Sequence, residues 1–178
     1  MSNKRRLTIK DTVTIGVLAG MCAIATSLKI PLGAGAMVHL GTAFMFTVAI
    51  SQGGVYAGLS AAIGSAFFDL LMGFSPYTLW SFFIKGGAGL LAGSIAHGLW
   101  PEVGSQNSEP VRSWLLRAVL GCLVAAAWTL GGYMLAWWQV TGSLVVAISN
   151  MPASLLTSGV GLPIALFLAP RLRKALNR

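Results

Sequence analysis

Four polar residues lie inside or beside long apolar segments, where they could contact a bound solute. Asp69, Lys85 and Asn150 occur within such segments, and His39 opens another. A charged side chain inside a membrane segment is costly, so it is a candidate for function by default. Asp69 and Lys85 have opposite signs, which leaves two interpretations open: a structural ion pair, or contacts to a polar ligand.

Asn150 stands directly before Met151 and Pro152. Because proline has no N–H, it leaves a helix carbonyl without its usual partner. A local helix break beside an amide side chain is a plausible ligand anchor. Aromatic residues collect near the same polar groups, and the candidates to contact a ligand are Tyr77, Trp80, Tyr133 and Trp137. An interfacial aromatic belt explains part of this pattern, while stacking on a flat heterocycle is the functional alternative.

The sequence lacks the motifs of common enzymes. It contains no GxxxxGK[ST], no HExxH and no GxSxG, which are typical of P-loop ATPases, zinc proteases and serine hydrolases. Cys22 and Cys122 lie in apolar segments without a CxxC pair, so we interpret them as small buried residues. No metal site and no cofactor is predicted. Binding or passage of a solute fits the polar residues better than catalysis.

Membrane helices must position these residues. Of the 178 residues, 56% are hydrophobic and only 9% are charged, whereas soluble domains carry about 25% charged residues. The composition predicts one all-α integral membrane domain covering residues 1–178, a bundle of six transmembrane helices. The predicted spans are residues 12–28, 39–51, 55–72, 78–100, 114–138 and 143–169. The second is short for a span of ~20 residues, and the sixth is interrupted near Pro152 and stopped by Pro170.

The basic residues predict the orientation of the bundle. The formal charge is +8, and most of the basic side chains flank the first and last apolar segments. They are Lys4, Arg5, Arg6 and Lys10 at one end, and Arg171, Arg173, Lys174 and Arg178 at the other. Such clusters favour the cytoplasmic side rather than nucleic-acid binding. Both termini are therefore predicted to be cytoplasmic, as is the polar stretch 101–113, and the candidate ligand residues fall in the outer half.

Small residues form a stripe on the first predicted helix. Gly16, Ala19, Gly20 and Ala23 follow the spacing i, i+3, i+4, i+7, which places them on one face and permits close helix approach. Two interpretations are open, packing inside the bundle and docking of a partner subunit. The same spacing of four occurs at Gly54/Gly58 and Gly89/Gly93, where internal packing is expected.

Several short motifs, taken in order, resemble the substrate-binding S components of energy-coupling factor (ECF) vitamin transporters. They are HLGTAF at 39–44, GGVYAG at 53–58, GSAFFDL at 64–70, GFSP at 73–76 and IKGGAGLLAG at 84–93. Ala19-x-x-x-Ala23 is similar to the AxxxA docking motif of that family, and the Asn150 segment also fits. The chain departs from the family at Thr42, where an acidic residue often follows the Leu-Gly pair, so the role of this position is open.

The resemblance implies a bacterial plasma-membrane protein that captures a vitamin from outside. It implies association with a transmembrane T component and two cytosolic ATP-binding subunits, so that ATP hydrolysis is expected in the partners and not in this chain. Within that family, the sequence most resembles the subfamilies for hydroxymethylpyrimidine, thiamin precursors or pyridoxine. A net-neutral Asp69/Lys85 pair suits a small neutral or zwitterionic heteroaromatic, and riboflavin is the alternative vitamin.

Two other classes of protein remain open from the residues alone. A structural or accessory membrane protein would need no ligand, and neighbouring genes for two ATPases and a T component would argue against it. A membrane-embedded enzyme acting on lipid could use Asp69 and His39 as an acid/base pair, although no nucleophile motif accompanies them.

Overall fold

A computed structural model describes residues 7–31, 37–100 and 111–176. Within these ranges six α-helices follow one another: α1 (Ile9–Ser27), α2 (Gly41–Gln52), α3 (Gly54–Leu71), α4 (Thr78–Ala96), α5 (Val111–Thr141) and α6 (Leu144–Leu176). Two short strands, β1 (Lys29–Pro31) and β2 (Met37–His39), join α1 to α2, and a 3₁₀ turn (Ser75–Tyr77) precedes α4. The predicted basic residues 4–6 and Arg178, and most of the polar stretch 101–113, lie outside the described residues.

Five of the helices are long and apolar enough to cross a membrane. They are α1, α3, α4 together with the 3₁₀ turn, α5 and α6. The helix α2 has 12 residues and is therefore only about 18 Å long, short of the ~30 Å hydrocarbon core. The all-helical membrane architecture is confirmed, while a crossing at α2 stays a prediction.

The short helix α2 lies in the middle of the bundle. It packs mainly against α6, α3 and α4, and Met45, Phe46, Val48 and Ile50 are fully buried. Nearly all residues of α2 are buried, so protein rather than lipid surrounds this helix. Gly53, at φ +89°, ends α2 and leads directly into α3, a conformation that glycine adopts without steric cost.

Glycines allow α3 and α4 to pack at very close range. A Cβ on Gly89 would lie 2.6 Å from the carbonyl carbon and oxygen of Ala57, and one on Gly58 would lie 3.0 Å from the carbonyl oxygen of Gly86. Backbone approach of this kind is what small residues spaced four apart permit. The predicted packing role of these glycines is confirmed, and it brings the helices that carry Asp69 and Lys85 together.

The predicted interruption of the last helix is wrong. The helix α6 runs unbroken from Leu144 to Leu176 with Pro152, Pro163 and Pro170 inside it. In a membrane, an irregular backbone would expose polar groups to hydrocarbon, so the helical conformation persists and neighbouring groups accommodate the missing N–H. In soluble proteins a proline usually ends or kinks a helix, but this expectation does not hold for α6.

The small residues of α1 divide between two faces. Ala19 and Ala23 are buried, and the Ala19 carbonyl oxygen lies 2.5 Å from the position of a Cβ on Gly64 of α3. Gly16 and Gly20 are exposed, with open space where a Cβ would stand. The four residues do not form one outward surface: two pack on α3 and two face away from the bundle.

The β-hairpin covers one end of the bundle. β1 and β2 pair antiparallel with Lys29 opposite His39. The hydroxyl of Thr157 on α6 donates to the carbonyl of Met37 at 3.3 Å, and the Lys29 ammonium lies over the rings of Phe68 and Phe74, 4.9 Å and 5.3 Å from their centroids. These contacts fix the hairpin against α3 and α6 and place His39 over the interior.

Candidate functional site

A cavity of about 120 Å³ lies beneath the hairpin. Residues of all six helices, of β2 and of the 3₁₀ turn line it. One water molecule needs only ~10–15 Å³ by this kind of measure, so the cavity can hold a small organic molecule. Clefts between helices of a bundle are common ligand sites.

The structure brings six of the eight predicted ligand residues to this cavity. Those six are His39, Asp69, Tyr77, Lys85, Tyr133 and Trp137. Trp80 and Asn150 are not among the lining residues. Asn150 is buried, with 1% of its surface exposed, one turn before the part of α6 that reaches the cavity at Ala153 and Ser154.

Asp69 and Lys85 face the same cavity without forming an ion pair. They are 7% and 5% exposed, and their charges are close enough to attract one another. Among the described residues, Asp69 Oδ2 has no hydrogen-bond partner. The ammonium of Lys85 instead donates to Thr42 Oγ1 at 3.0 Å. The two side chains therefore form no direct ion pair in this structure, and their contact with a polar ligand stays a prediction.

Thr42 has a defined place in the site. It is the second residue of α2, is fully buried and lines the cavity. Its hydroxyl accepts the hydrogen bond from Lys85, so the partner of the ammonium at this position is a neutral acceptor. The Lys85 Nζ atom also lies 5.5 Å from the ring centroid of Tyr133, within range of a cation–π attraction.

Aromatic side chains form one wall of the cavity. The rings of Tyr133 and Trp137 stack at 5.5 Å with an interplanar angle of 29°, and the Tyr133 and Ser81 hydroxyls are 3.0 Å apart. Phe68 and Phe74 complete the wall near the hairpin. Such a surface favours a flat ring system, because stacked aromatic pairs gain energy beyond their buried area.

His39 presents a neutral imidazole to the cavity. It lies in β2, outside the membrane-spanning helices. Burial first, and then the positive charges of Lys85 and Lys29, lower the pKa of His39 well below its ordinary value. The backbone N–H of Gly41 donates to His39 Nδ1 at 3.2 Å, so the proton of the neutral ring belongs on Nε2. That N–H is available as a donor.

Sequence reasoning missed a set of hydroxyl groups. They line the cavity from five helices: Thr26, Ser65, Ser81, Thr129, Ser154, Thr157 and Ser158. The hydroxyls of Thr26 and Thr129 donate to carbonyls of their own helices. The side-chain hydroxyls of Ser154 and Ser158, which line the cavity, have no hydrogen-bond partner within the described part of the chain. The spacing of residues 154, 157 and 158 on one face of α6 is a signal that the sequence did contain.

The groups at this site can bind a flat molecule that carries polar substituents. It combines a flat aromatic wall, several hydroxyls, one carboxylate and one ammonium. Within the described residues, no group of three or more His, Cys, Asp or Glu side chains could hold a metal ion.

The fold is that of a known class of membrane subunit. A solved S component of a bacterial ECF transporter matches this chain with a TM-score of 0.67 at 16% sequence identity, covering 95% of this chain and 98% of the other. At this identity the similarity establishes the fold alone. No curated protein sequence is significantly similar to the chain.

The family follows from the sequence as a whole. The family model for the S component of ECF-type riboflavin transporters matches residues 6–174, nearly the entire chain. The protein belongs to this family. The predicted class, an S component of an ECF vitamin transporter, is thereby confirmed. The narrower prediction of the pyridoxine or hydroxymethylpyrimidine subfamily is not confirmed, because the matching family is of the riboflavin type.

Proposed function

We propose that this protein captures riboflavin at the outer face of the membrane as the substrate-binding subunit of an ECF transporter. The observation that carries the proposal is the cavity itself, with an aromatic wall facing hydroxyls and two buried, separated charges. An isoalloxazine ring can stack on Tyr133 and Trp137, while a ribityl chain can bond to hydroxyls such as those of Ser154 and Ser158. The family match supports the same ligand.

The charges of the cavity favour an unphosphorylated vitamin. Asp69 and Lys85 are the acidic and basic residues that line it, and together they contribute no net charge. A phosphate would need additional cationic partners to offset its desolvation. Pyridoxine is the second candidate ligand, because the opposite charges of Asp69 and Lys85 also suit a zwitterionic hydroxypyridine.

A ligand panel on the purified protein tests this function. Riboflavin, FMN, pyridoxine, hydroxymethylpyrimidine and thiamin are added separately, with the apparent melting temperature and tryptophan fluorescence as readouts. A ligand that binds only the folded state adds about 2.7 kcal/mol of stability at 100 times its Kd. We expect riboflavin to give the largest shift. If no member of the panel shifts the melting temperature, a ligand-free accessory role replaces the proposal.

We further propose that both termini are cytoplasmic and that the cavity opens to the outside. Basic residues occupy the first two turns of α1 and α5 and the last two turns of α6: Lys10, Arg112, Arg117 and Arg171 among them. The positive-inside rule assigns these turns to the cytoplasm. This orientation requires six crossings, so the buried helix α2 must connect the two faces. Reporter fusions at each terminus and in the 73–77 loop test the assignment.

The proposed partners are a transmembrane T component and two cytosolic ATP-binding subunits in a bacterial plasma membrane. The support is membership of the S-component family and the absence of a P-loop from the sequence. Transport energy then comes from the partners, and this chain is not itself an enzyme. Co-purification of a tagged chain from its native host, followed by identification of the bound subunits, tests this assembly.

A further inference from the structure

The separated charges of the cavity indicate how the ligand is oriented, an inference that rests on the function proposed above. We infer that the ring of the ligand inserts an edge between Asp69 and Lys85, with a donor aimed at Asp69 Oδ2 and a neighbouring acceptor aimed at Lys85 Nζ. The two residues come from adjacent helices, α3 and α4, and face one cavity.

The carboxylate of Asp69 carries the first half of the inference. The side chain is more than nine-tenths buried, and its Oδ2 atom is without a hydrogen bond among the described residues. Native proteins rarely leave a buried polar atom unpaired, and an uncompensated buried charge is strongly destabilising. Oδ2 itself is inaccessible in this structure, whereas Asp69 lines the cavity, so a rotation of the carboxylate turns this acceptor towards the ligand, which supplies the donor.

The ammonium of Lys85 carries the second half. An ammonium has three N–H donors, and one of them is used by Thr42. This bond holds the ammonium on the α2 side of the cavity. The remaining N–H donors of Lys85 are free to meet an acceptor that lies next to the ligand's own donor. The ring centroid of Tyr133 is 5.5 Å from the ammonium, so the ligand ring rests beside Tyr133.

The contacts to Asp69 and Lys85 together require a ligand edge on which an N–H donor stands directly beside a carbonyl acceptor. The dione ring of riboflavin has it, with N3–H between two carbonyl oxygens. In the inferred pose N3–H donates to Asp69 Oδ2, and one flanking carbonyl accepts from Lys85 Nζ. The Tyr133 and Trp137 rings then cover the ring system, and the ribityl chain extends away from the two charges.

The first test changes the ligand and leaves the protein intact. The Kd of the wild-type protein is measured for riboflavin and for 3-methylriboflavin, which lacks the N3–H donor. We expect methylation to weaken binding about 10- to 100-fold, the ratio for losing a hydrogen bond to a charged group. Lumiflavin and 3-methyllumiflavin form a matched pair without the ribityl chain, and the same ratio is expected. Equal affinity for both members of each pair would overturn the inference.

The second test couples the protein to the ligand. Asp69→Asn removes the carboxylate that prefers an N–H donor, so the loss of affinity caused by N3 methylation should shrink severalfold. Lys85→Met should lower the affinity for riboflavin and for 3-methylriboflavin by the same factor. Thr129→Val is the control, because the Thr129 hydroxyl lines the cavity but donates to the Ala125 carbonyl; it should keep the wild-type ratio. An unchanged methylation penalty in Asp69→Asn contradicts the assigned contact.

The two proposals fail in different ways. If the wild-type protein does not bind riboflavin, the proposed function is overturned and the orientation with it. If riboflavin binds and shifts the melting temperature but N3 methylation changes nothing, the function stands and only the orientation is wrong. Binding of 3-methylriboflavin to each variant also shows that the variant is folded, so a misfolded protein cannot be mistaken for a lost contact.

Discussion

At the level of single residues, Thr42 shows why the ammonium of Lys85 can stay buried. The hydroxyl of Thr42 is its acceptor, at 3.0 Å, and both side chains are almost inaccessible. Thr42→Val keeps the shape of the side chain but removes the acceptor. We expect the ligand-free protein to lose about 1–3 kcal/mol of stability, the cost of leaving a buried group unpaired, read as a lower apparent melting temperature.

Two further variants check the cause of that loss. Thr42→Ser keeps the hydroxyl and should retain most of the stability. Adding Lys85→Met to Thr42→Val removes both partners, which can be nearly neutral, so the double variant should be more stable than Thr42→Val alone. A double variant that is less stable than either single variant would show that Thr42 and Lys85 do not act as a pair.

His39 makes the stability depend on pH. In the folded protein its pKa is lowered, chiefly by burial, so as the pH falls below about 6.5 the unfolded chain binds a proton that the folded protein does not. The stability that depends on a neutral His39 is therefore fully present above the pKa that His39 has in the unfolded chain. It is lost as the pH falls towards the lower pKa that His39 has in the folded protein. The slope is at most about 1.4 kcal/mol per pH unit for one proton.

The replacement His39→Gln should flatten this dependence. Glutamine offers an oxygen to the Gly41 N–H and does not titrate, so the melting temperature should fall less between pH 7 and pH 5 than in the wild-type protein. His97→Gln is the matched control, since His97 lies at the end of α4 and not at the cavity. Identical pH profiles for His39→Gln and the wild-type protein would contradict the lowered pKa.

The sequence was sufficient to find the charged members of the site but not its hydroxyls. A charge within an apolar segment is rare enough to stand out, which is how Asp69 and Lys85 were identified. Serine and threonine are common in membrane helices and often bond to their own backbone, as Thr129 does, so their types alone do not mark a site. Asn150 and Trp80 were predicted from local features, whereas lining a cavity depends on which way α6 and α4 are rotated.

At the level of helices, the glycine spacing predicted the contact between α3 and α4 correctly. It can be tested with Gly89→Ala, whose Cβ would meet the Ala57 carbonyl at 2.6 Å. Backbone atoms of α3 and α4 cannot move apart without disturbing the packing of both helices. We therefore expect destabilisation of about 1–3 kcal/mol, the usual cost of overpacking. Gly20→Ala is the control, since open space surrounds that position. Equal melting temperatures for the two variants would exclude tight packing at Gly89.

Local rules failed where the membrane or the bundle interior overrides them. The three prolines of α6 do not break it, because hydrocarbon leaves the backbone no alternative to the helix. The short helix α2 matched the predicted second segment, but its complete enclosure by α3, α4 and α6 is a property of the assembled bundle. A hydropathy pattern gives the length of an apolar segment and not whether lipid or protein surrounds it.

At the level of the whole molecule, α1 presents different surfaces to the bundle and to its surroundings. Ala19 and Ala23 pack inside, and their enlargement should disturb folding of the isolated subunit. Gly16 and Gly20 face outward with open space beside them, and they offer a smooth surface that another helix can approach closely. Of the four predicted docking residues, these two are accessible to a partner in this conformation.

The double replacement of Gly16 and Gly20 by Leu therefore separates ligand binding from assembly. Open space surrounds the Cβ position at both residues, so the purified variant should bind riboflavin with unchanged affinity and melt near the wild-type temperature. Bulk on this outward surface of α1 should instead prevent docking of the proposed T component, so co-purification of the proposed partner subunits and cellular riboflavin uptake should fall to background. Ala19→Leu is the contrasting control, expected to lower the melting temperature of the isolated subunit. Undiminished co-purification with the Gly16→Leu, Gly20→Leu variant would show that the partner docks elsewhere on the bundle.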